Sequence, residues 1–199
     1  MKMFSLVQNF ICTQPSRLEV VKRNSVKLGK TFSEINIYAN YNSNNDNFEV
    51  IKDHYLKNIP NISFYNDLTK DWALVTLAMV KEVKTPYVMF ICEDMEVNCS
   101  KEHMESTLNE FFDNDLDWMF LSKIGHYLDK KYIDGYAPFA LTPSPGYEKM
   151  KYGYFYSGKH APHKRLSMDM MCRTDFFIET LEEFLIKGES CTHDIPFRK

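Results

Sequence analysis

The segment Thr85-Pro-Tyr-Val-Met-Phe-Ile-Cys-Glu-Asp-Met-Glu-Val97 joins a buried strand to an abrupt acidic end. Thr85 and Pro86 break a preceding helical pattern, because the residue before a proline is pushed out of the helical region. Tyr87 to Cys92 is then an apolar run without polar alternation, as in a strand covered on both faces of a parallel sheet. It closes on Glu93, Asp94 and Glu96. Ligands of open α/β sheets bind at the carboxyl ends of the strands, so acids placed there border a crevice rather than the core. Gathered carboxylates repel one another unless a cation compensates, and hard oxygen donors suit Mg²⁺ or Mn²⁺ bridging a diphosphate. The plainer alternative is that the acids simply solvate a loop.

Outward from this segment, apolar runs alternate with stretches of helical period, the pattern of βαβ units around a mostly parallel sheet with helices on both faces. Strands are expected at Phe4 to Cys12, Glu34 to Ala39 and Asn61 to Tyr65. A helix is expected from Pro15 to a stop at Gly29, with Leu18, Val21, Val26 and Leu28 as its apolar face, and Asn42 to Asn47 reads as a polar loop. A second helix, Asp71 to Val83, would bury Leu74, Leu77, Ala78 and Val80. Further on come a helix from Lys101 to Phe112 and a strand from Asp117 to Ser122. Helical period then stops. Gly125 to Arg165 holds five of the seven glycines and four of the eight prolines among many aromatic residues, a long structured loop of the kind that carries binding sites. A strand over Leu166 to Cys172 and a helix from a Thr174 cap to Lys187 complete the pattern.

At 199 residues the chain is one domain, and 44% hydrophobic with 26% charged residues is ordinary globular composition. Twenty-four Lys+Arg against 27 Asp+Glu leave a net charge of −3, with a local basic cluster only at His160 to Arg165, which argues against a nucleic-acid partner. No run is long enough for a membrane span, since Gln8 and Asn9 interrupt the apolar start. The five cysteines are scattered without a C-x-x-C pair, which fits a reducing, cytoplasmic setting. Neither a Rossmann G-x-G-x-x-G, a P-loop nor a G-x-S-x-G elbow is present.

The order of strands and helices, closing on Tyr87-Val-Met-Phe-Ile-Cys-Glu-Asp94, resembles the nucleotide-sugar half of GT-A fold glycosyltransferases, whose fourth strand ends in an acidic D-x-D motif. The resemblance covers most of the chain. It implies residues 1–98 as a donor-binding half and 99–199 as an acceptor-side half, in a chain that could be cut from a longer one, similar to the first module of large chlorovirus glycosyltransferases. It implies a hexosyl- or deoxyhexosyl-transferase of inverting type, using a nucleotide-sugar donor such as a UDP-sugar, a glycan or other hydroxyl acceptor, and Mn²⁺ or Mg²⁺. Asp94 matches the metal-binding last acid of the motif and Glu93 its middle position. Cys92 departs from the first acid, and Glu96 offers a second carboxylate in a D-x-E register.

Other matches follow from the same resemblance. Thr13 and Arg17, in Thr13-Gln-Pro-Ser-Arg17, match a loop that contacts base and phosphate, though Pro15 and Ser16 also read as a plain helix start. Asn40 stands where the family often holds the base with an aspartate. Lys70 falls near phosphate, and Asp71 is either a base contact or, more plainly, a helix cap. In Cys191-Thr-His-Asp-Ile-Pro196, Asp194 matches the catalytic base and His193 a metal ligand, with Asp169 as the second candidate base; read plainly, Asp194 is a helix N-cap before Pro196. Tyr147, Tyr152, Tyr154, Phe155 and Tyr156 are either a stacking platform for an acceptor sugar or ordinary packing. Two rivals stay open: a sugar nucleotidyltransferase, disfavoured by the lack of glycine between Thr13 and Arg17, and a catalytically silent glycan- or nucleotide-binding module, suggested by Cys92.

Overall fold

The computed structural model describes residues 3–10, 15–41, 47–65, 72–92, 101–113, 117–120, 147–149, 154–156 and 169–186. Eight strands form one sheet in the order β3-β2-β1-β4-β8-β5-β7-β6. Strands β1 (Phe4–Phe10), β2 (Ile37–Tyr41), β3 (Ile62–Tyr65) and β4 (Tyr87–Cys92) are mutually parallel. Beyond them β8 (Asp169–Arg173) runs antiparallel to both β4 and β5 (Trp118–Phe120), and β7 (Tyr154–Tyr156) pairs antiparallel with β5 and β6 (Tyr147–Lys149). The last two strands fall inside the stretch expected to be all loop: its aromatic, β-favouring residues extend the sheet instead.

Among the described residues, five helices cover the two faces. On one side α1 (Pro15–Thr31), α2 (Asn47–Asn58) and α4 (Lys101–Asp113) bury Val21, Leu28, Ile51, Tyr55, Leu108 and Phe111 against Leu6, Ile37, Met89, Ile91 and Met171. On the other, α3 (Trp72–Lys81) and α5 (Thr174–Ile186) bury Ala73, Met79, Val80, Phe176 and Phe177 against Val7, Val88, Phe90, Met170 and Cys172. Successive residues such as Met89 and Phe90 therefore enter different cores. This is why β4 is apolar without alternation.

Several expected details differ. β2 begins at Ile37 rather than Glu34, because the chain first turns at Phe32–Ile35, where Ile35 N donates to Phe32 O. Helix α2 had no assignment in the sequence, although Phe48, Ile51 and Tyr55 stand at helical spacing. In α3 the buried face is rotated from the one expected: Leu74 and Ala78 are exposed, while Ala73, Val75, Thr76, Met79 and Val80 are buried. A helix that is apolar nearly all round does not announce which side it buries. Thr174 opens α5, but its hydroxyl donates across the fold to Thr85 O at 2.7 Å.

Gly29 is not a helix stop either. Helix α1 continues to Thr31, and a Cβ at position 29 would run into the backbone carbonyl of Asn58 at the end of α2. The glycine permits this close approach of the two helices, beside which Asn58 Nδ2 donates to His54 O at 2.7 Å and to Ser25 Oγ at 3.4 Å. Gly29→Ala would gain about 1 kcal/mol of helix propensity, but backbone atoms yield poorly and overpacking costs about 1–3 kcal/mol. We expect a net loss, read as a lower thermal midpoint; a midpoint unchanged or raised would show that α1 and α2 can part without penalty.

Candidate functional site

Strand order reverses between β1 and β4: from β1 the sheet grows through β2 to β3 on one side, and β4 lies on the other. In open α/β sheets the carboxyl ends of the strands flanking such a reversal border the ligand crevice. The last residues there are Phe10 and Cys92, and the segments that follow them begin the chain toward Thr13 and toward Glu93 and Asp94.

The rim of this edge is polar. Register sets Asn9 opposite both Asn40 and Cys92, and Asn40 opposite Tyr65, so one row of residues crosses the ends of four strands. Asn9 is 2% exposed, Asn40 1% and Thr76 of α3 0%. Asn40 Nδ2 donates to Thr76 Oγ1 at 2.9 Å, and the Thr76 hydroxyl is directed to Asn9 Oδ1 at 3.4 Å. From the neighbouring position Gln8 Nε2 donates to Cys92 O at 3.4 Å. Asn9 Nδ2 and Gln8 Oε1 are buried with no hydrogen-bond partner among the described residues. Leaving such an atom unpaired costs about 1–3 kcal/mol.

Of the residues expected at a site, Asn40 is in the rim, 1% exposed, with its amide Nδ2 donated to Thr76. Arg17 lies half-buried in the first turn of α1, directly after β1. Asp169 opens β8, its Cα opposite Ile91, so the antiparallel strand returns it to the carboxyl end of β4. Thr13, Lys70, Asp71, Glu93, Asp94, Glu96, His193 and Asp194 lie outside the described residues. So do His160, His163 and the basic loop around them. The platform tyrosines Tyr147, Tyr154 and Tyr156 fall on β6 and β7, where Tyr147 pairs with Tyr156 and Lys149 with Tyr154.

Charge is distributed unevenly around this frame. At the amino end of β4, Arg173 forks between Asp175, at 3.2 Å, and Asp117, at 3.8 Å, and the guanidinium holds the Asp175 carboxyl below its ordinary range. That ion pair is at the opposite end of the sheet from the polar rim, since Arg173 pairs with Tyr87, the first residue of β4. Tyr65 donates to Glu82 Oε2 at 2.6 Å, and partial burial with this carboxylate holds its phenol far above the usual value, hence neutral. Burial likewise pushes the Cys172 thiol up, so it is an inert core group. Among the described residues no group of three or more His, Cys, Asp or Glu side chains is placed to hold a metal ion. The donor set expected for one, carboxylates with an imidazole, suits Mn²⁺ or Mg²⁺ chemically.

No protein-family model and no curated protein sequence matches the chain. Solved structures do. Mannosyltransferase PcManGT from Pyrobaculum calidifontis, in complex with GDP-Man and Mn²⁺, superposes with a TM-score of 0.57 at 8% identity, over 98% of this chain and 49% of that one. Residues 1–349 of S. aureus TarS match at 0.53 and 11% identity, over 98% and 51%, and the same protein in complex with UDP-GlcNAc at 0.53 and 13%, over 87% and 46%. These are GT-A transferases. The chain has a GT-A-like fold.

The chain spans about half the length of the TarS and PcManGT structures it matches. The GT-A-like fold is also seen in the 4-diphosphocytidyl-2C-methyl-D-erythritol synthase of Anaerococcus prevotii, a nucleotidyltransferase, with a TM-score of 0.54 at 14% identity over 97% of this chain and 79% of that one. Within this GT-A-like frame, the residues that sequence reasoning missed are Gln8, Asn9 and Thr76. A signal for the first two was present: they are the polar pair that follows Leu6-Val7 just before the carboxyl end of β1. Thr76 carried none, because its neighbours are apolar on every side.

Proposed function

We propose that the chain is a metal-dependent glycosyltransferase moving a sugar from a nucleotide diphosphate donor, first among them a UDP-sugar, to a hydroxyl acceptor. The observation that supports it best is the reversal of strand order between β1 and β4, where the polar rim lies and from which the segments bearing Thr13 and Glu93–Asp94 depart. In this reading Thr13, Arg17, Lys70, Asp71 and Glu93 hold the donor, with Asn40 acting from below. The start of α1 favours an anion through the positive end of the helix dipole, and Arg17 adds a charge there. Asp94, joined by Glu96 or His193, would hold Mn²⁺ or Mg²⁺, which when bound supplies charge neutralisation at the diphosphate. Asp194, or Asp169 in its place, takes the proton of the acceptor hydroxyl in an inverting displacement. Residues 1–98 bind the donor and 99–199 face the acceptor, in a reducing cytoplasm, and no helix among the described residues is long and apolar enough to cross a membrane.

Nucleotidyl transfer is the second reading, supported by the same fold in the Anaerococcus synthase. Calorimetric titration of the protein with UDP, GDP, their sugars and nucleoside triphosphates, with Mn²⁺ and again with EDTA, separates the two. Metal-dependent binding of a diphosphate-sugar supports the transferase. Preference for a triphosphate supports the nucleotidyltransferase. Failure of a folded sample to bind any nucleotide removes both and leaves a glycan-binding module.

A further inference from the structure

Thr76 is an anomaly of packing. It is completely buried in a helix that leaves Leu74 44% exposed. Its hydroxyl accepts from Asn40 at the end of β2 and is directed to Asn9 at the end of β1, and the buried Asn9 Nδ2 has no hydrogen-bond partner among the described residues. Apolar residues of similar volume would fill these three places without leaving a donor unmet. Local departures of this kind are expected where position matters more than stability.

We infer that Asn9, Thr76 and Asn40 form a positioning relay that sets the placement of helix α3 relative to the ends of β1, β2 and β4. Trp72, at the start of α3, is one turn before Thr76, so the contacts that fix Thr76 fix the start of α3, which Lys70 and Asp71 immediately precede in sequence. Asn9 stands in register with Cys92, the residue before Glu93 and Asp94. The relay thus ties the start of α3 to the carboxyl ends of β1, β2 and β4, and none of its members needs to touch the substrate. This deepens the proposed donor site and rests on it for the binding readout, though not for the structural one.

The test compares Thr76→Val, which keeps shape and removes the hydroxyl, with Thr76→Ser, which keeps the hydroxyl. Hydrogen exchange of the ligand-free protein should rise in Thr76→Val both in the first turn of α3 and at the carboxyl end of β4, with α2 and α5 unchanged, and Thr76→Ser should restore the wild-type pattern. Nucleotide affinity should fall about tenfold to a hundredfold in the valine variant, as misplacement by an ångström does, and recover with serine. Exchange altered in α3 alone, or a serine variant no better than valine, would overturn the relay. If wild-type protein binds no nucleotide while the exchange pattern appears as described, the donor-site reading fails and the relay stands.

Discussion

Asp94→Ala is expected to abolish Mn²⁺-dependent binding of a nucleotide-sugar while leaving the fold intact. The segment Glu93 to Glu96 follows a strand whose own anchorage does not depend on it: Val88, Met89, Phe90 and Ile91 are buried between two cores, and β4 is paired on both sides. Replacing an acid beyond such a strand should change stability by no more than about 0.5 kcal/mol. Its effect on a divalent ion is of another size. Even partners that only orient a metal's ligands cost 10–100-fold in affinity on removal, so loss of a direct carboxylate should exceed about a hundredfold. The measurement is titration of UDP or its sugars in Mn²⁺ and in EDTA, with a melting curve beside it. Undiminished metal-dependent binding would move the ion to the alternative register through Glu96.

For Asp194→Asn the expected loss is in turnover and not in donor binding. Asparagine keeps the shape and the hydrogen-bonding reach but cannot accept the acceptor's proton, and a positioned base contributes about 10²–10⁴-fold. The pH profile carries the sign. A base works when deprotonated, so kcat/KM should rise with pH through its pKa in the parent protein and lose that acid limb in the variant. Asp169→Asn is the paired control. Its backbone lies beside the carboxyl end of β4, opposite Ile91, so a loss that appears there and not at position 194 would transfer the role to Asp169. Unchanged turnover in both variants would remove the base and with it the inverting course.

How much of this could be read before folding is clear from particular elements. β4 and its acidic end were legible because the information is local: five buried residues in sequence, then charges, with Pro86 marking the start. The parallel part of the sheet, β1 to β4, followed from the alternation of such runs with helical periods, and the GT-A-like likeness to PcManGT and TarS agrees with that reading. The start of β2 was misplaced by three residues because Ile35, although buried, sits in a turn. The hairpin of β6 and β7 was hidden among glycines and prolines, since strands of three residues give too short a pattern to stand out.

Contacts between distant residues account for the rest. Gly29 looks like a stop in sequence and is a close approach in space, because only the arrival of Asn58 gives its missing side chain a purpose. Thr76 meets Asn9 across 67 positions and Asn40 across 36. No window of the chain contains that relay, and the apolar run around Thr76 points to a different buried face. Periodicity, caps and strand-end charges are properties of neighbours along the chain, so the amino-acid order alone specified most of the elements, the fold class and the edge at which chemistry is sought. Which face α3 buries, how near α1 comes to α2, and which polar atoms are left unpaired at that edge depend on the fit of surfaces brought together only by folding, and tertiary packing decided them.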